Sequence, residues 1–311
     1  DASGRFVIVF NGEIYNYREL REKLHGYNFR SNSDTEVLLA AYCRWGENCL
    51  DLINGMFAFA VWDRHKKTLF LARDRLGIKP LYYYLYEKTF IFSSEVRAIL
   101  ASGIGRSKID HHSFVEYLRY QTVHAPFTIL KNVRMLRPGY FACFKTGEFR
   151  QKEYWSVKTK ILSITEDNNM EQVHKRVRAL FYKAVERRLV ADVPFGVFLS
   201  GGIDSSAIIA AMHKYIPKEI NTFSIKFNED EFDESQYANL IAKKYKTIHN
   251  EILVRPKELI TLAIEALDAM DHPSGDGINT YVISKMTKKN GIDMVLSGLG
   301  GDELFGGYST F

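Results

Sequence analysis

The chain has 311 residues, 46% of them hydrophobic and 25% charged, with a net charge of +5. That length suits two cores better than one, and that balance is typical of a globular protein. Lys and Arg are interleaved with Asp and Glu, no apolar run is long enough for a bilayer, and no signal-peptide pattern opens the sequence, so neither nucleic acid nor membrane is expected as a partner.

The first predicted element is a strand, Arg5-Phe6-Val7-Ile8-Val9-Phe10, rich in β-branched and aromatic residues. It is expected to end at Asn11-Gly12-Glu13, with a helix after it over Tyr17–Leu24. Asp34–Arg44 carries apolar residues at helical spacing, and Ser33 before Asp34 and Glu36 marks its start. Cys43, Cys49 and Cys143 form no CxxC or metal-ligand spacing, so they read as small buried hydrophobes. An odd, sparse count suits a reducing cytoplasm. Strands follow at Met56–Asp63, Thr68–Arg73, Leu81–Glu87 and Thr89–Ser93, several joined by tight turns. The aromatic run Tyr82-Tyr83-Tyr84 reads as strand packing. His111-His112 has no carboxylate or cysteine spacing beside it and reads as the start of a surface helix. Phe141–Phe144 and Phe149–Glu153 flank a Lys-Thr-Gly turn and form a closing hairpin. Stacked antiparallel sheets with helices outside are the expected architecture here.

Residues 155 to about 167 read as a linker, and the pattern then changes. A long helix at Asn169–Leu189 leads to a strand at Gly196–Leu199 and a helix to about Lys214. Then come a strand at Asn221–Phe227, a helix at Ser235–Lys243, and strands at His249–Leu253 and Asp293–Leu296. This alternation predicts a parallel sheet covered on both faces. The acidic run Glu229–Glu234 precedes a helix and reads as capping.

The strongest chemical signal is Val197-Phe198-Leu199-Ser200-Gly201-Gly202-Ile203-Asp204-Ser205-Ser206. An apolar strand runs into Ser-Gly-Gly, and a helix starts. Glycines let the backbone approach an anion, and a helix start aims unpaired N–H groups and a positive dipole end at it. Ser200, Ser205 and Ser206 add hydroxyl donors. Asp204 alone would repel phosphate, so it makes sense as a ligand for Mg²⁺ carried by that phosphate. The Walker order and its lysine are absent. A second apolar strand ends in Ser297-Gly298-Leu299-Gly300-Gly301-Asp302-Glu303, where Asp302 is another candidate Mg²⁺ ligand. Ligands of open α/β sheets bind beyond the carboxyl ends of strands, so both loops could face one nucleotide. Each could instead be a structural turn with a capping side chain. In Asn11-Gly12-Glu13, a side-chain amide and a backbone N–H could form an oxyanion hole, and Glu13 and Asp34 could hold an ammonium. Taken singly, that stretch is equally readable as a polar turn. The loop Asp271-His272-Pro273-Ser274-Gly275-Asp276-Gly277 is a candidate acceptor pocket or a plain Gly/Pro turn.

The order of these segments resembles the asparagine synthetase group of class II glutamine amidotransferases, across essentially all 311 residues. It runs through Asn11-Gly12-Glu13-Ile14-Tyr15-Asn16 and Ser33-Asp34-Thr35-Glu36. It continues with Gly55-Met56-Phe57-Ala58-Phe59-Ala60, then Ala72-Arg73-Asp74-Arg75-Leu76-Gly77-Ile78-Lys79-Pro80. Phe92-Ser93-Ser94-Glu95 and the two Gly-rich loops complete it. The resemblance implies a two-domain α/β protein. Residues 1–154 would be an αββα glutaminase-like domain of the N-terminal-nucleophile type. Residues 155–311 would be an ATP-pyrophosphatase-like domain on a parallel sheet. Asn11 and Gly12 would form the oxyanion hole, with Glu13 and Asp34 gripping glutamine. Phe198, Leu199, Ser200, Gly201, Gly202, Asp204, Ser205, Ser206, Ile225, Ser297 and Gly298 would hold ATP. Asp204 and Asp302 would hold Mg²⁺.

The implied chemistry amidates a carboxylate through an acyl-adenylate, fed by ammonia from glutamine, and a homodimer is the assembly suggested. The family's N-terminal cysteine nucleophile, its arginine-bearing glutamine loop and its nucleotide-contacting lysines are expected to lie outside these 311 residues. The chain alone is therefore expected not to hydrolyse glutamine. Leu299 stands where asparagine synthetases carry an acid. The acceptor is thus aspartate or another carboxylate, such as a sugar acid. A non-catalytic binding chain is the reading from another class.

Overall fold

The computed structural model describes residues 1–87, 89–104, 108–158, 169–191, 193–216, 219–226 and 235–308. The acidic run 229–234 and most of the expected linker lie outside the described residues. Two compact units are present: Asp1–Glu166 with Asp271–Gly275, and Asp167–Met270 with Asp276–Phe311.

The first unit begins with β1 (Phe6–Ile14) and the helices α1 (Tyr17–Lys23), α2 (Asp34–Trp45) and α3 (Cys49–Leu52). Next come β2 (Gly55–Asp63), β3 (Thr68–Arg73), β4 (Tyr82–Tyr86), β5 (Thr89–Ser93), α4 (Val96–Ala101) and α5 (His111–Tyr120). The strands β6 (Val133–Met135), β7 (Tyr140–Lys145) and β8 (Glu148–Glu153) close it. One antiparallel sheet runs β1-β2-β3-β7-β8 and a second runs β5-β4-β6. Strand alternation gives the first sheet two buried faces. Phe57, Phe59, Val61 and Phe70 pack against α1 and α2 on one side. Ala58, Ala60, Leu71 and Ala142 face the second sheet through Leu81, Phe90 and Phe92. Tyr82, Tyr84 and Val133 then pack under α4 through Val96 and Ile99. The layers are αββα.

Two expectations change here. The first strand does not stop at Phe10. It continues through Asn11, Gly12 and Glu13 to Ile14, in register with β2 as Asn11↔Ala58, Gly12↔Phe57 and Glu13↔Met56. The reason is close approach: a Cβ on Gly12 would collide with the Met56 carbonyl and lie 2.7 Å from Phe57 Cα. A residue that reads as a turn former serves here to let two strands meet. The helices α4 and α5 and the short β6 were also not fully read from periodicity. His111 does open α5, capped by Asp110, whose carboxylate accepts the Ser113 N–H at 3.0 Å.

The second unit contains α6 (Met170–Arg188), β9 (Phe195–Phe198), α7 (Ile203–Tyr215), β10 (Asn221–Lys226) and α8 (Ser235–Tyr245). It continues with β11 (Ile248–Leu253), α9 (Pro256–Ala269), α10 (Gly277–Lys289), β12 (Met294–Leu296) and α11 (Gly301–Phe305). Its sheet runs β11-β10-β9-β12, and every pair is parallel. Parallel strands need crossovers, and the helices supply them on both faces. One face packs Val197, Leu199, Ile209 and Met212 with Ala238 and Ala242. The other packs Phe223, Ile252, Val254, Val282 and Ile292. No helix among the described residues is long and apolar enough to cross a membrane.

Candidate functional site

In the second unit, the chain order β9-β10 and the pairing β9-β12 bring three strand ends together. The loop after β9 carries Ser200-Gly201-Gly202, and the loop after β12 carries Ser297 to Gly300. Gly201 takes φ +86°, and a Cβ there would lie 2.5 Å from Tyr237 Cβ. Only glycine allows that turn against α8. Gly202 then caps α7, so the first N–H groups of α7 open toward the loop. The hydroxyls of Ser200 and Ser205 are 3.1 Å apart. Ser206 donates to the Gly202 carbonyl at 2.7 Å.

The two loops touch through Asp204. A Cβ on Gly298 would lie 3.0 Å from Asp204 Cβ, and a Cβ on Gly301 would collide with the Asp204 carboxylate. Together they enclose a cavity of about 570 Å³. Its walls include Phe198, Leu199, Ser200, Gly202, Asp204, Ser205, Ile225, Ser297, Gly298 and Asp302. Of the residues expected at a nucleotide, only Gly201 and Ser206 are not on the wall. One is packed against α8, and the other points its hydroxyl back at the backbone. Sequence reasoning missed Ser224, Ser235 and Ile283, which also line it. Ser224 could have been found, since it precedes Ile225 at the same strand end. Nothing in the sequence marks Ile283. Leu299 is 81% exposed and lies on the same wall.

Two carboxylates, Asp204 and Asp302, face this cavity, and Glu303 joins them. Backbone N–H donation and then Tyr308, whose hydroxyl donates at 2.8 Å, hold the Glu303 carboxyl below its ordinary range. No group of three or more His, Cys, Asp or Glu residues suited to a metal occurs among the described residues. A pair of carboxylates still fits Mg²⁺, which takes few protein ligands and completes its shell with water and phosphate oxygens.

The first unit has its own cavity, of about 210 Å³, between the two sheets. Asn11, Ala58, Ala60, Leu81, Phe92, Ser93 and Ser94 line it. The Asn11 amide donates to Ser94 Oγ at 3.1 Å, which ties β1 to the end of β5. Gly12, Glu13 and Asp34 are not on this wall. The Asp34 carboxylate accepts the Ile14 N–H at 2.9 Å, next to Glu13, and Ser33 caps α2 by accepting from Thr35 N at 3.0 Å. The loop 271–275, a candidate acceptor pocket in the sequence, belongs to the first unit, and none of its residues is on the wall of the cavity of about 570 Å³. Asp271 caps α4, accepting from Val96 N at 2.5 Å and Arg97 N at 2.8 Å. Cys49 is fully buried, with Cys43 and Cys143 packed against the same core. Burial pushes the Cys49 thiol up to about 12.

The sequence matches two protein families, the glutamine amidotransferase domain over residues 1–155 and asparagine synthase over residues 176–311. It is 35% identical to asparagine synthetase [glutamine-hydrolyzing] 3 of Bacillus subtilis, over 98% of this chain and 52% of that protein. It is 38% identical to putative asparagine synthetase [glutamine-hydrolyzing] 2 of Methanocaldococcus jannaschii, over 98% of this chain and 59% of that protein. The chain thus spans about half the length of these and other curated relatives, from 48% to 59%. A solved glutamine phosphoribosylpyrophosphate amidotransferase of B. subtilis overlays with a TM-score of 0.37 at 15% identity, covering 94% of this chain and 60% of that one, a likeness too slight to add to the sheets described above. With both family matches in chain order and relatives similar along nearly its whole length, the chain belongs to the asparagine synthetase family.

Proposed function

We propose that this protein serves ATP-dependent amidation of a carboxylate, with glutamine as the source of nitrogen. The observation that carries the reading is the single cavity formed by two Gly-rich loops at the carboxyl ends of parallel strands. Names of the relatives support aspartate as the acceptor.

A carboxylate is a poor acyl donor, because its leaving group would be oxide. ATP solves this by transferring AMP. The acceptor carboxylate oxygen attacks the α-phosphorus, the bond from that phosphorus to the bridging oxygen breaks, and pyrophosphate leaves. Ser200, Gly202, Ser205 and the N–H groups at the start of α7 would receive the negative charge gathering on pyrophosphate. Asp204 and Asp302 would hold Mg²⁺, which neutralises part of that charge. The adenosine would lie against Phe198, Leu199, Ile225, Ser297 and Gly298. Ammonia then attacks the acyl carbon, the carbon–oxygen bond to AMP breaks, and the amide forms as the nitrogen loses a proton. In the first unit, Asn11 and Gly12 would stabilise the oxyanion of the glutamine carboxamide, and Glu13 and Asp34 would hold its ammonium.

The test is product analysis on the intact protein with ATP, Mg²⁺, glutamine and aspartate. Equal amounts of AMP, pyrophosphate and asparagine are expected. Amide formation with another carboxylate only would keep the mechanism and replace the acceptor, as the apolar Leu299 on the cavity wall would then explain. ADP and inorganic phosphate as products would sink the reading.

A further inference from the structure

The wall of the nucleotide cavity has a buried polar layer behind it. Thr222 pairs with His249 across β10 and β11, and Ser224 follows Thr222 on the same face of β10. The imidazole of His249 bridges the two hydroxyls. Its Nδ1 lies 2.9 Å from Thr222 Oγ1 and its Nε2 lies 3.3 Å from Ser224 Oγ. Thr222 Oγ1 is also 2.9 Å from Thr247 Oγ1. Thr222 and Ser224 are buried, at 0% and 5% exposure. Ser224 is on the cavity wall, and His249 is not.

Burial holds the His249 ring toward its neutral form, against the opposing pull of Glu251 on the same strand. A neutral imidazole has one donor and one acceptor nitrogen. It therefore treats its two hydroxyl neighbours oppositely. A hydroxyl that accepts from the ring keeps its own O–H free for another partner. A hydroxyl that donates to the ring presents only lone pairs elsewhere. Whichever tautomer is held, the ring removes the rotational freedom of Ser224 and decides what that hydroxyl offers.

We propose that His249 is a positioning residue of the nucleotide site, fixing the Ser224 hydroxyl and so the hydrogen bond it makes to a nucleoside bound beside Ile225. The proposal rests on the reading of this cavity as the ATP site. It adds a layer that touches no nucleotide itself yet sets how one wall residue meets it.

Two substitutions separate positioning from plain packing. Glutamine at 249 reaches the Nε2 position and keeps a partner for Ser224. Asparagine reaches only the Nδ1 position and keeps a partner for Thr222. We would measure the dissociation constant for ATP with Mg²⁺ on the intact protein and on His249→Gln, His249→Asn, Ser224→Ala and the double variant His249→Asn/Ser224→Ala. The expected result is near-native affinity for His249→Gln and a loss of about tenfold for both His249→Asn and Ser224→Ala. The double variant should be no weaker than Ser224→Ala alone, because one contact cannot be lost twice. Equal losses for the glutamine and asparagine variants would make His249 a packing residue and overturn the proposal. So would an unaffected Ser224→Ala, which tests the hydroxyl without disturbing the histidine. Failure of the unaltered protein to bind ATP would instead remove the nucleotide reading, and this proposal with it.

Discussion

Asp204 and Gly12 carry the sharpest claims at the scale of single residues. Asp204 is in the first turn of α7, where a carboxylate suits the helix dipole but opposes a phosphate. That conflict disappears if a divalent cation lies between them. Asp204→Asn keeps the shape and removes the charge. It is expected to lower the rate of pyrophosphate release roughly a hundredfold or more, with a stability loss of no more than about 1 kcal/mol from the lost dipole interaction. Steady-state rates across a Mg²⁺ titration would check it, and a native rate would argue against a metal role. Gly12→Ala acts on the fold instead. Its Cβ would collide with the Met56 carbonyl on the neighbouring strand. A loss of about 1–3 kcal/mol is expected, read from the denaturant midpoint at constant slope.

The strands and helices decide how stability responds to pH. Asp63 at the end of β2 takes both oxygens to the Arg5 guanidinium, at 3.0 and 2.7 Å, opposite the start of β1. Arg5, aided by the backbone N–H groups of His65 and Lys66, holds the Asp63 carboxyl well below the usual range. A depressed carboxylate contributes its full stability above its unfolded value of about 3.9 and loses it progressively as pH falls from there through its lower folded value. His249 and His272 act in the same direction in another window. Burial lowers both, so the neutral ring is favoured in the folded state. Their contribution is complete above about 6.5 and is lost as pH falls below it. Stability should therefore drop in two steps on acidification. Glu36, Asp110, Glu265 and Glu303 are held low as well, so Asp63→Asn should shrink the lower step without removing it and spare the upper one, as urea midpoints against pH would report. The same elements explain what the sequence concealed. The β-branched and aromatic composition of Phe6–Phe10 was plain, but Asn-Gly-Glu carries turn chemistry, and only the partner strand reveals that Gly12 continues the ladder. The βα pattern of the second unit was legible because strands buried on both faces read as short apolar runs. The two loops announced themselves through glycine and serine. The walls contributed by Ser224, Ser235 and Ile283 come from tertiary placement, which no local pattern encodes.

At the scale of the whole molecule, the chain has two units with separate cores, and the proposal gives each its own chemistry. A ligand of one unit should stabilise that unit alone. ATP with Mg²⁺ at a hundred times its dissociation constant should raise the unfolding transition of the second unit by about 2.7 kcal/mol and leave that of the first in place. Calorimetry resolves the two, and a shift of the first transition alone would put the nucleotide elsewhere. The expected assignment of glutamine chemistry to residues 1–154 and ATP chemistry to 155–311 remains our proposal for how the labour is divided.

The most direct test of the acyl-adenylate is the fate of the acceptor oxygen. Aspartate labelled with ¹⁸O in its side-chain carboxylate would be turned over with ATP and glutamine, and the products read by mass spectrometry. Attack at the α-phosphorus predicts one labelled oxygen in AMP and none in pyrophosphate. Label in inorganic phosphate, with ADP beside it, would mean attack at the γ-phosphorus and would contradict the role given to the two loops.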